Sequence, residues 1–161
     1  MDEPQFKALL DELAAFPAAL KTQLQGLSDA ALRFQPTPDA WSIVEIVGHM
    51  TDVDAIWPGR IRQMLSTDNP ELARVDNDDV RRRDYQNKQL SFLLITLAER
   101  RAEFIEMLRL LRPSQLERTG QHPTRGPITV AGGVGALADH DRGHREQIAA
   151  NLAAFEQAGG G

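Results

Sequence analysis

No cysteine occurs among the 161 residues. Disulfides, thiolate metal ligands and a cysteine nucleophile are therefore excluded together, and any thiol chemistry needs a thiol brought by a cosubstrate. Long apolar runs are missing as well: nothing approaches the roughly 20 residues that cross a bilayer as a helix. The opening Met1-Asp2-Glu3-Pro4-Gln5 lacks the basic flank and apolar block of a secretory signal, so a cytoplasmic protein without a membrane partner is expected. Basic charge is in the minority. The 18 Lys and Arg stand against 23 Asp and Glu, for a formal net charge of −5, which argues against a nucleic-acid partner. The basic run Arg81-Arg82-Arg83 follows Asp76-Asn77-Asp78-Asp79 and reads as a solvated loop.

What is present is ordinary for a globular protein: 42% hydrophobic and 25% charged residues. The length suits one domain over residues 1–157, able to bury a core without a structural metal. Ala158-Gly159-Gly160-Gly161 is expected to be a frayed tail.

Helical spacing recurs along the chain. Phe6, Leu9, Leu10, Leu13, Phe16, Leu20 and Leu24 predict a first helix over Pro4–Gln25, kinked at Pro17 and closed by Gly26. Ser28–Leu32 reads as a short helical turn. A second long helix opens at Ser42, where Glu45 completes a capping box and Trp41 is placed to staple, and it runs to about Ser66 with a kink at Pro58. Thr67 to about Tyr85 reads as a long crossover loop, of the kind that joins distant helix ends in a bundle. A third helix follows over Gln86–Leu111, with Leu90, Leu93, Leu94, Leu97, Phe104, Leu108 and Leu111 inside and Arg100, Arg101, Glu103 and Glu106 outside. Glu117–Pro127 reads as irregular, and Thr129 caps the last helix. Gly132, Gly133 and Gly135 near its start predict close backbone approach, preferably by a neighbouring helix.

The chemistry concentrates in that last helix. His140 and His144 are four residues apart and share one face, one turn above the other. They fall in the stripe of Val130, Val134, Leu137, Ile148, Leu152 and Phe155, so both point inward. Charging two buried imidazoles would be costly, whereas one divalent cation satisfies both lone pairs. His49 lies on or beside the inward face of the second helix and is the expected third ligand. The bland alternative is a set of core histidines hydrogen-bonded to backbone or carboxylate. Asp52, one turn after His49, reads as solvated, with orientation of His49 as the alternative. Asp139 and Asp141 are expected to point away from the pair, His122 to be structural or at a pocket mouth, and Trp41 and Trp57 to be core aromatics or substrate wall.

Trp41-Ser42 with His49 and Asp52, His122-Pro123 with Arg125-Gly126, and His140-Asp141-Arg142-Gly143-His144 with Gln147-Ile148 resemble, in this order, the DinB/YfiT-like superfamily. The resemblance covers nearly the whole chain. It implies an all-α four-helix bundle, up-down-down-up with a long crossover, often dimeric, with nickel or zinc on three histidines. Matched residue by residue, those are His49, His140 and His144. Some members are S-transferases or isomerases that use mycothiol, bacillithiol or glutathione. Pro58 and the Gly132-Gly133-Gly135 cluster depart from the usual pattern beside the expected pocket.

Three protein nitrogens leave a coordination position open, as catalytic metal sites do. That vacancy suits S-transfer or hydrolysis alike, and the resemblance to thiol-using members makes the expected function metal-dependent S-transfer from a low-molecular-weight thiol to a small electrophile. The alternatives are metal-dependent hydrolysis, and a non-catalytic bundle that binds a metal or small ligand. A small-molecule substrate and a homodimer complete the expectation.

Overall fold

The computed structural model describes residues 1–74 and 79–159. Four long helices dominate: α1 (Glu3–Leu24), α3 (Ile43–Ser66), α5 (Leu90–Arg109) and α7 (Val130–Gln157). Short helices α2 (Asp29–Arg33), α4 (Asp79–Arg82) and α6 (Pro113–Leu116) sit in the connections, and a two-stranded hairpin, β1 (Thr119–His122) and β2 (Gly126–Thr129), precedes α7. Among the described residues no helix is long and apolar enough to cross a membrane.

The direction of each helix follows from which side chains share a core. One cluster holds Phe6 and Leu10 from the start of α1, Ile61 and Met64 from the end of α3, Leu108 from the end of α5, and Val130 and Val134 from the start of α7. The other holds Leu20 and Leu24 of α1, Ile43 and Ile46 of α3, Leu93 and Leu97 of α5, and Ile148 of α7. Helices α1 and α7 therefore run one way and α3 and α5 the other, the expected up-down-down-up order. Both α1 and α3 pack against α5 and against α7, which sets α1 diagonally across from α3.

Because α3 and α5 are parallel neighbours, the chain must return along α3, about 36 Å for its 24 residues. The crossover expected from Thr67 to Tyr85 makes that return, and its residues 75–78 lie outside the described residues. It is more ordered than a loop. The Leu72 amide donates to the Gln121 carbonyl (2.9 Å) and the Gln121 amide to that of Pro70 (2.8 Å), so its first residues lie along the edge of β1. Tyr85–Asn87 form a 3-10 turn, and Lys88 is extended before the next helix. The third long helix consequently starts at Leu90, not Gln86, and ends at Arg109.

Tyr85 is the crossover's anchor. Its ring lies on Gly48, where a Cβ would overlap it, and its hydroxyl donates to Asp52 (2.7 Å) one turn further along α3. Asp52 also accepts from Arg83 (2.8 Å). Asp52 is therefore neither solvated nor turned toward His49. It is buried and holds the crossover down, and Arg83 reaches it from an arginine run that is solvated, as expected.

Cap signals set the helix starts. Ser42 and Glu45 form the expected capping box, Thr129 Oγ1 accepts from the Gly132 amide (3.0 Å), and α1 and α3 run unbroken through Pro17 and Pro58. The stretch Glu117–Pro127, expected to be irregular, instead contains α6's exit and the hairpin, with Thr119 paired to Thr129 and His122 to Gly126. Its strands are four residues each, with Ile128 the one strongly hydrophobic side chain between them, so they carry no hydrophobic alternation to announce them.

Candidate metal centre

The capping box at Ser42 fixes the phase of α3 and turns His49, seven residues after the helix cap, into the bundle. There it meets His140 and His144 of α7. His140 Nε2 lies 3.0 Å from His49 Nε2 and 3.0 Å from His144 Nε2. One ligand nitrogen from each of the three falls within 4.8 Å of the others. Two nitrogens bound to one ion at ~2.0–2.1 Å stand roughly 2.9–3.4 Å apart for angles between octahedral and tetrahedral. The two 3.0 Å separations from His140 fit that range.

The donor set also fits a cation. Gln147 Oε1 sits 2.8 Å from His144 Nδ1; a carboxamide oxygen can only accept, so Nδ1 carries the proton and Nε2 presents a lone pair. His140 Nε2 faces two other nitrogens and can offer at most one hydrogen. The Nδ1 atoms of His49 and His140 are buried without a hydrogen-bond partner among the described residues. Burial, followed by the neighbouring imidazoles, lowers the His49 pKa to about 3. Burial and then His140 lower that of His144 to about 4. Both rings are therefore neutral and able to ligate at pH 7.

The surroundings lock these rings in place. Trp41 lies 4.9 Å from the His49 ring and 6.4 Å from that of His144, and Asn151 of α7 donates to the Trp41 carbonyl (2.7 Å). Behind the histidines Arg101 of α5, expected outside, is 1% exposed. It donates to Asp54 of α3 (2.9 and 2.8 Å), to Asp141 of α7 (2.6 and 3.2 Å) and to the Leu13 carbonyl of α1 (3.2 Å). One guanidinium thus joins all four long helices. Two carboxylates hold it charged, raising its pKa against the cost of burial. Asp141 points into the core at Arg101, and its Oδ1 also lies 3.9 Å from His140 Nδ1, so it is not turned away from the histidines as expected.

A cavity of about 340 Å³ opens beside the imidazoles, lined by Trp41, His49, His140, His144, Val53, Trp57 and Ala136, and toward the hairpin by Arg60, Arg74, His122 and Arg125. His122, in β1, lines its mouth.

The family model of the DinB superfamily matches residues 12–148. The chain belongs to the DinB superfamily. Among its curated relatives, an Oceanobacillus iheyensis protein provisionally named a metal-dependent hydrolase is 22% identical over 139 residues, which cover 86% of this chain and 81% of that protein. A Bacillus mycoides protein provisionally named in the same way is also 22% identical, with 86% and 80% covered. In structure the chain is similar to YfiT from Bacillus subtilis, described as a probable metal-dependent hydrolase with an unusual four-helix bundle topology. The TM-score is 0.86 at 23% identity, covering 99% of this chain and 90% of that one.

Within this DinB-superfamily bundle the glycine cluster is only partly explained by helix approach. At Gly133 a Cβ would stand 2.7 Å from Trp57 Cζ3, so the missing side chain lets α7 seat the Trp57 ring in the cavity wall. Gly132 is near its own cap residue, and Gly135 meets nothing. Sequence reasoning missed Arg60 and Arg101. For Arg101 a signal existed: with Leu90, Leu94, Leu97, Phe104 and Leu108 it keeps an unbroken three-four spacing. Arg60 sits three residues after Trp57 and stacks on it, its Cζ 4.9 Å from the ring centroid, a pairing visible only once Trp57 faces the cavity.

Proposed function

We propose that the protein is a metal-dependent enzyme in which His49, His140 and His144 hold a divalent ion, and that it hydrolyses a small substrate in the adjoining cavity. The observation that carries the reading is three inward imidazole nitrogens within 4.8 Å at one end of a substrate-sized cavity. The provisional names of the relatives point the same way. Nickel or zinc suits an all-imidazole set. When bound, the ion supplies Lewis acidity, lowering the pKa of a water or thiol and polarising a carbonyl.

The chain's own residues do the rest. Gln147 holds the His144 tautomer, Trp41 covers the His49 and His144 rings against solvent, and Trp57 and Val53 wall the cavity. Thiol-dependent S-transfer is the second reading. Among the described residues no carboxylate lines the cavity to take a proton from water. A thiol ionises far more readily than water and needs less help. With no cysteine in the chain, that thiol would be a cosubstrate.

Zinc-loaded and nickel-loaded protein assayed with a panel of 4-nitrophenyl esters, and separately with glutathione, bacillithiol or mycothiol and an electrophile, separates these readings. Metal-dependent ester turnover without thiol supports hydrolysis, and metal-dependent thiol consumption supports transfer. No turnover in either assay contradicts the enzyme reading. The same proposal takes the working form to be a cytoplasmic homodimer. Exposed Phe92 and Ile95 on α5 are apolar surface for such a contact, and sedimentation of Ile95→Glu beside the wild type tests it.

A further inference from the structure

We infer that the cavity takes an anionic substrate, a small molecule carrying a carboxylate or phosphate, and that Arg60 grips that charge while the reacting group lies at the histidines. The inference rests on the cavity being the substrate site proposed above, but its evidence is separate.

Arg60 projects from α3 into the cavity wall and is 4% exposed. Its Nε and Nη2 donate to the Ala73 carbonyl (3.0 and 2.5 Å), and Nη1 lies 3.2 Å from His122 Nε2. Because the guanidinium can only donate, His122 Nε2 accepts, and the Thr124 amide and hydroxyl both lie 3.3 Å from its Nδ1. Five N–H groups less these three leave one hydrogen on each Nη. No carboxylate stands within ion-pair distance of Arg60 among the described residues. The contrast is within the same bundle: Arg101, buried more deeply, has two.

A buried guanidinium without a counterion is costly unless something supplies the missing charge. Here the rest of that end of the cavity adds positive charge, with Arg74 and Arg125 at an exposed rim. Desolvation already lowers the Arg60 pKa, and the two arginines' field draws anions toward the mouth. An oxyanion group on the ligand meets both needs, since carboxylate and phosphate accept from a guanidinium fork with charge assistance. The substrate class is then an ester or amide whose other end is acidic.

The test is binding, measured by calorimetry on zinc-loaded protein whose zinc content is determined on the same sample. The monoamides of succinate, glutarate and adipate, each an amide with one carboxylate, are compared with the corresponding diamides, which carry no charge; 3-phosphonopropionamide compares phosphonate with carboxylate. At one chain length or more, the monoamide is expected to bind about ten- to a hundredfold tighter than its diamide. Arg60→Met should remove that preference while leaving the diamide's affinity in place, and Arg60→Lys should restore part of it. A merely structural arginine would weaken both ligands together.

Arg125→Gln, at an exposed turn, should lower monoamide affinity a few-fold without unfolding and serves if Arg60→Met does not fold. Equal affinity of monoamide and diamide at every length, or no saturable monoamide binding, overturns the inference. A monoamide preference in a sample that retains no zinc supports Arg60 and defeats the three-histidine site instead, so the two failures are distinguishable.

Discussion

The carboxylate of Asp141 lies 2.6 Å from the guanidinium of Arg101, and Asp141 is the residue that follows His140 along α7. The buried ion cluster and the imidazole cluster are thus neighbours on one helix. Asp54 makes the same link on α3, five residues after His49. Rotation or slippage of either helix that would part the imidazoles must first break charge-assisted bonds in the core.

Removal of this guanidinium leaves two buried carboxylates facing each other. Arg101→Met should therefore destabilise the protein by about 3–5 kcal/mol, read from urea unfolding at neutral pH. Neutralising all three groups together, with Asp54→Asn and Asp141→Asn, should recover part of that loss. A single-variant cost below about 1 kcal/mol would mean the cluster is not closed in solution.

Acid should loosen the metal-free protein over a defined window. The His49 and His144 pKa values are about 3 and about 4 in the fold, against ~6.5 unfolded. The unfolded chain binds more protons between those values, so stability is full above about pH 6.5 and falls as the pH drops toward 4. Thermal unfolding with chelator present measures it. His49→Gln and His144→Gln should each flatten the slope, and an unchanged slope in both would contradict the burial of these rings.

Gln147→Leu removes the acceptor that holds the proton on His144 Nδ1. Metal affinity should fall about 10- to 100-fold, with little change in the unfolding midpoint of the metal-free protein. Competition with a zinc chelator reads the affinity.

Two glycines admit rings from elsewhere in the fold. Gly133→Ala should press on Trp57 and Gly48→Ala on the Tyr85 ring, each costing about 1–3 kcal/mol by overpacking. The effects should differ in kind: Gly133→Ala disturbs Trp57 in the cavity wall and its fluorescence, while Gly48→Ala frees the crossover and raises its proteolysis.

What the residues announced and what they hid divide along physical lines. Caps at Ser42 and Thr129 and the apolar periodicities of α1, α3 and α7 are local signals, and they place His49, His140 and His144 on inward faces. Their meeting needs only that α3 and α7 be neighbours. Charge usually lies outside, and the place of Arg101 in the Leu97–Phe104–Leu108 spacing, which points inward, is outweighed locally because its partners are 47 and 40 residues away. The Asp52–Tyr85 latch is equally non-local. The hairpin was missed because Gly120 and Pro127 break any strand pattern, and β1 gains its further neighbour from Pro70–Leu72 of the crossover.

Three imidazoles that share one divalent ion must each be needed to retain it. Elemental analysis of untagged protein, wild type beside His49→Ala, His140→Ala and His144→Ala, measures this once folding of each variant is confirmed by circular dichroism. A single divalent ion is expected per wild-type chain, with its loss from every variant. A folded variant that keeps the wild-type metal content, or a wild type that takes up no divalent ion when zinc and nickel are supplied, would contradict it.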